Sequence, residues 1–365
     1  MDGAPRYAFE LEVVLPRAVP CVLAVGAFLK NTVCLTAGDR AYVSAPCGNL
    51  DTAAAIAAFE HAIARLKDAV GADPVLVAHD LHPDFHSTRW AGASGLPTLA
   101  VQHHHAHAAA VAAENGHLGP VLGLSLDGFG LGPGNESWGG ELLLVDGPQW
   151  RRLRHLAPLR QPGGDLAARE PWRMAAAALH RMGRGAEIAS RFAQFRAAAL
   201  LAEVIDKGVN SPPTTSCGRL FDAACGLLGV HPVADFEGQA PMALEAMVRV
   251  PRVLYGSWSI EAGVLDTLPL LAHLADLADP VEGADLFHGT LSAALAEWVA
   301  EAAAETGVSA VALGGGCFFN KVLGASLPPA LRSRGIRVLR PLLASPGDPA
   351  VSLGQAWIAG LHALS

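Results

Sequence analysis

The sequence predicts an α/β protein built from two lobes with a ligand cleft between them. The chain has 365 residues, of which 51% are hydrophobic and 16% are charged. A single hydrophobic core is close to its size limit at this length, so two lobes are expected. A strand, a polar turn and a second strand also occur twice, about a hundred residues apart, which indicates a duplicated fold. The elements run from strand-rich through helical to mixed, as in an α/β architecture.

Strands are predicted where apolar residues alternate or run together between turn residues. They cover residues 22–26, 33–35, 41–44, 74–78, 121–126, 140–145, 309–313 and 336–339. Helices are predicted where apolar residues recur every three or four positions. They cover residues 51–69, 103–114, most of 165–228, 283–306, 320–331 and 350–364. Polar turns at 29–32 and 127–132 join the strands of each repeated pair. Asp51 or Thr52 is expected to cap the first helix, which is expected to end near Gly71.

The composition excludes several classes of protein. The 26 Lys+Arg and 34 Asp+Glu residues give a net charge of −8, and no basic run exceeds two residues, which argues against an extended nucleic-acid surface. The longest uncharged stretch, residues 90–113, contains Pro97 and four histidines and is therefore not a membrane span. Residues 1–6 show no signal-peptide pattern. We expect a cytoplasmic protein without membrane or nucleic-acid partners.

Histidine is the unusual residue type, because four of the 15 histidines fall between His103 and His107. On a helix His103 and His107 lie on one face, one turn apart, which is a geometry used by metal sites. Two packing histidines would give the same spacing, so convergent carboxylates are needed to decide. Asp127 follows an apolar strand and Asp348 precedes the last helix, although a turn aspartate and a helix cap explain them equally well.

Glycine-rich segments follow two of the predicted strands. Gly128 and Gly130 come after the strand at 121–126, where bare backbone admits a phosphate. Gly314 and Gly315 lie between a strand and a helix, where Asn320 reaches the same ligand. The spacing matches neither a P-loop nor a serine-hydrolase elbow, and none of the six cysteines belongs to a Cys-x-x-Cys pair. The residues alone therefore predict a metal and nucleotide cleft without a protein nucleophile.

Seven strings of residues, in order along the chain, carry a family resemblance. They are 29–32, 78–84 with 87–90, 101–107, 138–141, 215–222, 237–240 and 314–320. From about Cys21 to the end of the chain they resemble the C-terminal domain of the hydrogenase maturation factor HypF family. That domain is similar to TsaD and belongs to the actin-like ATPase superfamily.

The resemblance implies two actin-like lobes, residues 1–145 and 146–365, with mixed sheets flanked by helices. It implies a carbamoyltransferase that passes the carbamoyl group of carbamoyl adenylate to the C-terminal cysteine of HypE and releases AMP. In such proteins the adenylate comes from carbamoyl phosphate and ATP, and the product is a precursor of the cyanide ligands of NiFe-hydrogenase. The adenylating domains of full HypF are not in the sequence, so we expect little adenylate synthesis by this chain alone.

The resemblance also implies roles for individual residues. One divalent metal ion, iron or zinc, would be held by His103, His107, Asp127 and Asp348. The nucleotide, ATP, AMP or carbamoyl adenylate, would be contacted by Gly128, Gly130, Gly218, Asp222, Gly238, Gly314, Gly315 and Asn320. Lys30 and His82, together with Asp127, would act in catalysis at the carbamoyl end. Imidazole plus carboxylate disfavours magnesium but does not separate iron from zinc.

Two other functions remain open at this point. The same cleft serves threonylcarbamoyl transfer to tRNA in TsaD, and a non-catalytic ATP-binding scaffold would need the same fold. The charge of −8 and the His-His-His-Ala-His form of the histidine motif favour a protein acceptor over tRNA.

Overall fold

The computed structural model describes residues 9–364. The segment 1–6, which shows no signal-peptide pattern, lies outside that range. Within it, none of the helices combines the length and the apolar character needed to cross a membrane.

Two mixed β-sheets form the centre of the molecule. The first has the strand order β1-β3-β2-β4-β5, and the main path of the second runs β11-β12-β8-β7-β6-β13-β14, with β9 and β10 at its side. The strands of the first sheet are β1 Leu11–Val19, β2 Val22–Ala24, β3 Cys34–Val43, β4 Leu76–Asp80 and β5 Thr98–Val101. Those of the second are β6 Val121–Gly132, β7 Glu136–Asp146, β8 Gln149–Leu156, β9 Leu159–Arg160, β10 Pro213–Thr214, β11 Ser259–Glu261, β12 Val264–Asp266, β13 Ala310–Gly314 and β14 Arg337–Leu339.

The helices flank these sheets. They are α1 Ala53–Val70, α2 His86–Ala93, α3 His103–Glu114, α4 Leu166–Arg169, α5 Pro171–Arg181, α6 Ile188–Arg191, α7 Ala198–Asp206, α8 Cys217–Leu227, α9 Gln239–Met247, α10 Leu268–Ala275, α11 Pro280–Thr306, α12 Lys321–Arg332 and α13 Val351–His362. Short 3₁₀ turns precede α6, α12 and α13 at Gly185–Glu187, Gly316–Phe319 and Asp348–Ala350.

The two sheets repeat one pairing pattern. In the first, β3 pairs antiparallel with β1 and β2, and β4 and β5 continue parallel. In the second, β7 pairs antiparallel with β8 and β6, and β13 and β14 continue parallel. The predicted two-lobed, duplicated α/β fold with mixed sheets and flanking helices is therefore confirmed.

The first helix illustrates how local sequence determines an element. The Thr52 side chain accepts a hydrogen bond from the Ala55 amide at 3.2 Å, and Gly71 ends the helix with φ of 65°. Phe59, Ile63 and Leu66 lie on one face of α1 and pack with the buried residues of the first sheet. Of the two candidate N-caps the structure uses Thr52 rather than Asp51, and the predicted end at Gly71 is confirmed.

A turn was predicted at the glycine-rich segment 127–132, and this prediction is wrong. The segment prolongs β6, which pairs with β7 up to Gly132 after a register shift between Leu126 and Gly130. Glycine is needed for this pairing, because a Cβ on Gly132 would lie only 2.4 Å from the Trp138 ring. The strands predicted at 33–35 and 41–44 form the single strand β3. The predicted elements also lack ten that the structure has, namely β1, β5, β8, β9, β10, β11, β12, α2, α9 and α10.

Helix α3 is buried between the two sheets. Ala106, Ala109 and Ala110 pack in the core of the first lobe, whereas Ala108 and Val111 pack against β6 and β7 of the second. The lobe boundary at residue 145 stays a prediction. Strands β6 and β7, which precede it, pair within the second sheet, and α13, which follows it, contacts β2, β3 and β4 of the first.

The contact between α13 and α3 is the closest helix approach around the site. A Cβ on Gly354 of α13 would stand 1.9 Å from the Ala106 carbonyl oxygen, so only glycine fits there. We expect Gly354→Ala to lower the free energy of unfolding by about 3 kcal/mol, because two helices must separate.

Chemical denaturation monitored by circular dichroism measures this loss. Gly324→Ala in α12 is the matched control, since the nearest atom to its new Cβ is a flexible arginine tip at 3.9 Å. The control should stay within about 1 kcal/mol of the parent, on the stabilising side. Equal stabilities of the two variants would contradict the packing argument.

Candidate metal and nucleotide site

Four side chains from three parts of the fold converge at the N-terminal end of α3. His103 and His107 come from α3, Asp127 from β6 and Asp348 from the 3₁₀ turn before α13. One ligand atom from each of the four lies within 4.8 Å of all the others. The structure thus brings together the four residues that the family resemblance implied as metal ligands.

The distances within this cluster are those of groups that face a common point. Asp127 Oδ2 lies 3.0 Å from His107 Nε2 and 3.6 Å from His103 Nε2. His103 Nε2 lies 3.7 Å from Asp348 Oδ1. Asp127 Oδ2 and both Nε2 atoms are buried, yet none has a partner in hydrogen-bonding geometry. Buried polar atoms rarely stay unsatisfied, and imidazole nitrogens beside carboxylates suit iron or zinc, so the cluster fits a divalent metal ion.

The backbone fixes the direction of the Asp127 carboxylate. Its Oδ1 accepts hydrogen bonds from the amides of Gly128 at 2.8 Å and Gly316 at 3.2 Å. The other oxygen, Oδ2, is therefore left facing the two histidines. One oxygen of this carboxylate thus binds backbone amides, and the other is available to a cation.

Electrostatics inside the cluster favour positive charge. Burial lowers the pKa of His103, but three surrounding carboxylates outweigh it and raise that pKa well above the ordinary value. They belong to Asp127, Asp348 and Asp80. Burial would raise the pKa of Asp127, but the contacts and charges of His103 and His107 hold it well below its usual range.

Hydrogen bonds and burial determine the environment of His104 and His105 in the first turn of α3. Gln102 caps the helix, because its Oε1 accepts from the His105 amide at 2.9 Å and its amide group donates to His104 Nδ1 at 3.1 Å. Burial, followed by the charge of His103, lowers the pKa of His104 well below its normal value. His105 binds the Gly147 carbonyl at 2.9 Å, and burial lowers its pKa to about 4. Neither residue belongs to the group of four candidate metal ligands.

The predicted glycines divide into two groups. Gly128 and Gly238 border open space, with Glu237 Oε1 3.9 Å from the position of a Gly128 Cβ. At the other four positions glycine is required, because a Cβ would be too close to a neighbouring residue. These neighbours are His104 at Gly130, Gly128 at Gly218, His107 at Gly314 and Leu126 at Gly315. Four of the six glycines therefore allow strands and helices to approach one another closely. This packing role was not predicted from the sequence.

Asp222 and Asn320 differ in how their polar groups are engaged. Asp222 is buried on α8, burial raises its pKa to about 6, and its Oδ2 lies 2.9 Å from Arg219 Nε without hydrogen-bonding geometry. Asn320 is fully engaged within the protein. Its Oδ1 caps α12 at the Leu323 amide, 2.9 Å away, and its amide lies 3.0 Å from His288 Nε2. His288 was not among the predicted site residues, and its place in the long apolar helix α11 gave no signal.

Lys30 and His82 both contact aromatic rings of segments that also carry site residues. Lys30 adopts φ of 44°, and its Nζ lies 5.9 Å from the centre of the Phe319 ring. The His82 ring stacks on Phe85 with centroids 4.2 Å apart and meets Phe129 edge-on at 6.2 Å. We call these two side chains, together with the exposed rings of Phe129 and Phe319, the rim of the site.

Comparisons with known proteins agree with this arrangement. The family described as carbamoyltransferase, Kae1-like domain, second subdomain, matches residues 123–355, and the HypF Kae1-like domain matches residues 17–114. Carbamoyltransferase HypF2 of Cupriavidus necator is 47% identical over 95% of this chain and 47% of its own length. A carbamoyltransferase HypF homolog of the same organism is 46% identical over 93% of this chain and 91% of its own length.

Solved structures give the same result. Full-length HypF in its phosphate- and nucleotide-bound form superposes with a TM-score of 0.90 at 32% identity, covering 96% of this chain and 57% of that one. HypF of T. kodakarensis gives a TM-score of 0.89 at 28% identity, over 96% of this chain and 48% of that one. The chain spans about half the length of HypF2 and of HypF from Rhizobium leguminosarum. The ordered motifs, the paired sheets and these matches together establish that the chain belongs to the HypF Kae1-like domain family of carbamoyltransferases.

Proposed function

We propose that this chain transfers the carbamoyl group of carbamoyl adenylate to the C-terminal cysteine thiol of a HypE-like protein, in NiFe-hydrogenase maturation. The acceptor thiolate attacks the carbamoyl carbon, a C–S bond forms, the C–O bond to the phosphate breaks, and AMP leaves. The observation that carries the proposal is the buried cluster of unpartnered imidazole and carboxylate atoms beside a cleft that Gly128 leaves open. Membership of the HypF carbamoyltransferase family supports the same chemistry.

One divalent ion, iron or zinc, held by His103, His107, Asp127 and Asp348, would supply positive charge for the phosphate of the leaving AMP. The chain's own residues prepare this place. The amides of Gly128 and Gly316 orient the Asp127 carboxylate, and the open backbone at Gly128 leaves room for the phosphate. Asp222 and Gly238 lie on the side where the nucleoside would bind.

The remaining predicted glycines support the nucleotide site by packing. Gly130, Gly218, Gly314 and Gly315 bring β6, α8 and β13 together, and Asn320 contributes the cap of α12. Lys30 and His82 occupy the rim, where the carbamoyl group would emerge from the adenylate. Lys30 offers a cation and His82 an imidazole to the carbonyl oxygen or to the arriving thiol.

Among the described residues, the cysteine beside the candidate metal ligands is poorly suited to act as a nucleophile. The chain's six cysteines are free, and Cys317 is the one whose thiol experiences the charge of Asp127. Hydrogen bonding with Cys217, together with burial, raises the pKa of Cys317 well above the ordinary value. A thiol is a poor nucleophile in such surroundings, which supports a thiolate supplied by the partner.

The first test supplies the substrate directly. The chain, chemically prepared carbamoyl adenylate and HypE are incubated together, and mass spectrometry should detect a carbamoyl adduct on the terminal cysteine of HypE. A HypE variant with serine in place of that cysteine is the control and should stay unmodified. The absence of an adduct above the enzyme-free level would rule out the proposal. Salt-sensitive binding of tRNA in parallel would favour the TsaD-like alternative instead.

The second test examines the ligands. Asp348→Asn keeps the size of the side chain but removes its charge, so zinc affinity should fall by more than about tenfold and transfer should be lost. Zinc is titrated into metal-stripped protein against a chromogenic chelator, and circular dichroism checks folding. Asp39→Asn, in the exposed part of β3, is the control and should bind zinc as the parent does. A folded Asp348→Asn protein that still supports hydrogenase maturation in full would instead favour a scaffold.

The third test uses pH. A metal ion must displace the proton from His103 Nε2, and the pKa of His103 is raised well above its ordinary value. Zinc affinity should therefore increase with pH up to that raised pKa, by about tenfold per pH unit for each displaced proton. The same chelator competition, repeated between about pH 6 and about pH 8, measures the slope. A flat profile would show that no such proton is displaced.

A further inference from the structure

Asp80 stands behind the metal cluster and belongs neither to the four ligands nor to the cleft surface. It is the last residue of β4, and only 1% of its surface is exposed. Its two carboxylate oxygens serve different segments. Oδ2 lies 2.8 Å from His103 Nδ1, and Oδ1 accepts a hydrogen bond from the backbone amide of His82 at 3.0 Å.

The first of these bonds determines which nitrogen of His103 is available. A carboxylate accepts hydrogen bonds, so His103 donates from Nδ1 and presents Nε2 to Asp127 and Asp348. The second histidine has no such partner, because His107 Nδ1 is buried without a hydrogen bond. Asp80 therefore orients the imidazole of His103, and no such bond orients that of His107.

The second bond holds the segment that carries His82. The amide of Asp84 donates to His82 Nδ1 at 3.2 Å, which leaves the Nε2 side of the ring as its free donor. The ring itself lies flat on Phe85. The Oδ1 atom of Asp80 thus connects the loop that carries His82 to the same carboxylate that binds His103.

We propose that Asp80 is a positioning residue that couples the metal site to the His82 loop. A cation on His103 Nε2 makes the Nδ1–H group a stronger donor, tightens its bond to Asp80, and so holds the carboxylate in place for the His82 amide. Metal binding and the placement of His82 are then linked through one side chain. This inference rests on the metal site of the proposed function, but not on the identity of the transferred group.

The test begins with zinc affinity of the metal-stripped full chain. Asp80→Asn should weaken zinc binding by about 10- to 100-fold, since the amide satisfies the imidazole less well than a carboxylate does. Thr88→Val is the matched control, because the Thr88 hydroxyl binds only the backbone oxygen of Asp80, at 3.3 Å. The control should remain within about twofold of the parent. Parent-like affinity of a folded Asp80→Asn protein would overturn the proposal.

Hydrogen exchange followed by mass spectrometry or NMR provides a readout that a purely structural role would not change. In the parent, zinc should slow exchange of the His82 amide as well as that of the amides in the first turn of α3. In Asp80→Asn, zinc should still slow exchange in α3, whereas the His82 amide should no longer respond. An unchanged zinc response of the His82 amide in the variant would contradict the coupling.

The wild-type chain gives a third readout that needs no variant. With ¹⁵N-labelled histidine and bound zinc, NMR should find His103 protonated at Nδ1 and ligated through Nε2. Ligation through Nδ1 would overturn the role of Asp80, as would a failure of the parent chain to bind zinc. If zinc binds with this tautomer but no carbamoyl transfer occurs, the proposed function fails and the role of Asp80 stands.

Discussion

The close packing of α3 between the two sheets is the constraint on which the rest of the molecule depends. All residues from His103 to Ala113 are buried, and small side chains let both lobes approach the same helix. A Cβ on Gly123 of β6 would lie 2.6 Å from the Ala108 Cβ, and α13 approaches the opposite side of α3 even more closely. The alanines of α3 are therefore a packing requirement, because a larger side chain at these positions would separate the lobes.

The site follows from this packing. The N-terminal end of α3 lies where β6 and the turn before α13 meet, so residues from each of these elements face the two histidines. Asp127 reaches the cluster because β6 lies beside α3, and Asp348 reaches it because α13 packs along the helix. The glycines near the cleft serve the same end, since most of them remove side chains that would hold these elements apart.

Much of this could be predicted from the sequence, but for different reasons at each level. The four-residue spacing of His103 and His107 determines their common face, and Thr52 and Gly71 determine the ends of α1 by local rules. The convergence of Asp127 and Asp348 spans more than two hundred residues of chain, so only the family resemblance implied it. The extension of β6 through Gly132 was missed, because it depends on rings packing against bare backbone rather than on local propensity.

The charge of the cluster favours a cation at this place. Three carboxylates, from Asp80, Asp127 and Asp348, surround His103, and burying them together without compensation would be strongly unfavourable. In the metal-free molecule a proton on His103 provides part of that compensation, and this is why its pKa is raised. A divalent ion would provide more positive charge at the same place, so proton and metal compete for Nε2. The arrangement that stabilises the protonated histidine is thus the same one that favours metal binding, with Asp80 fixing the nitrogen for which they compete.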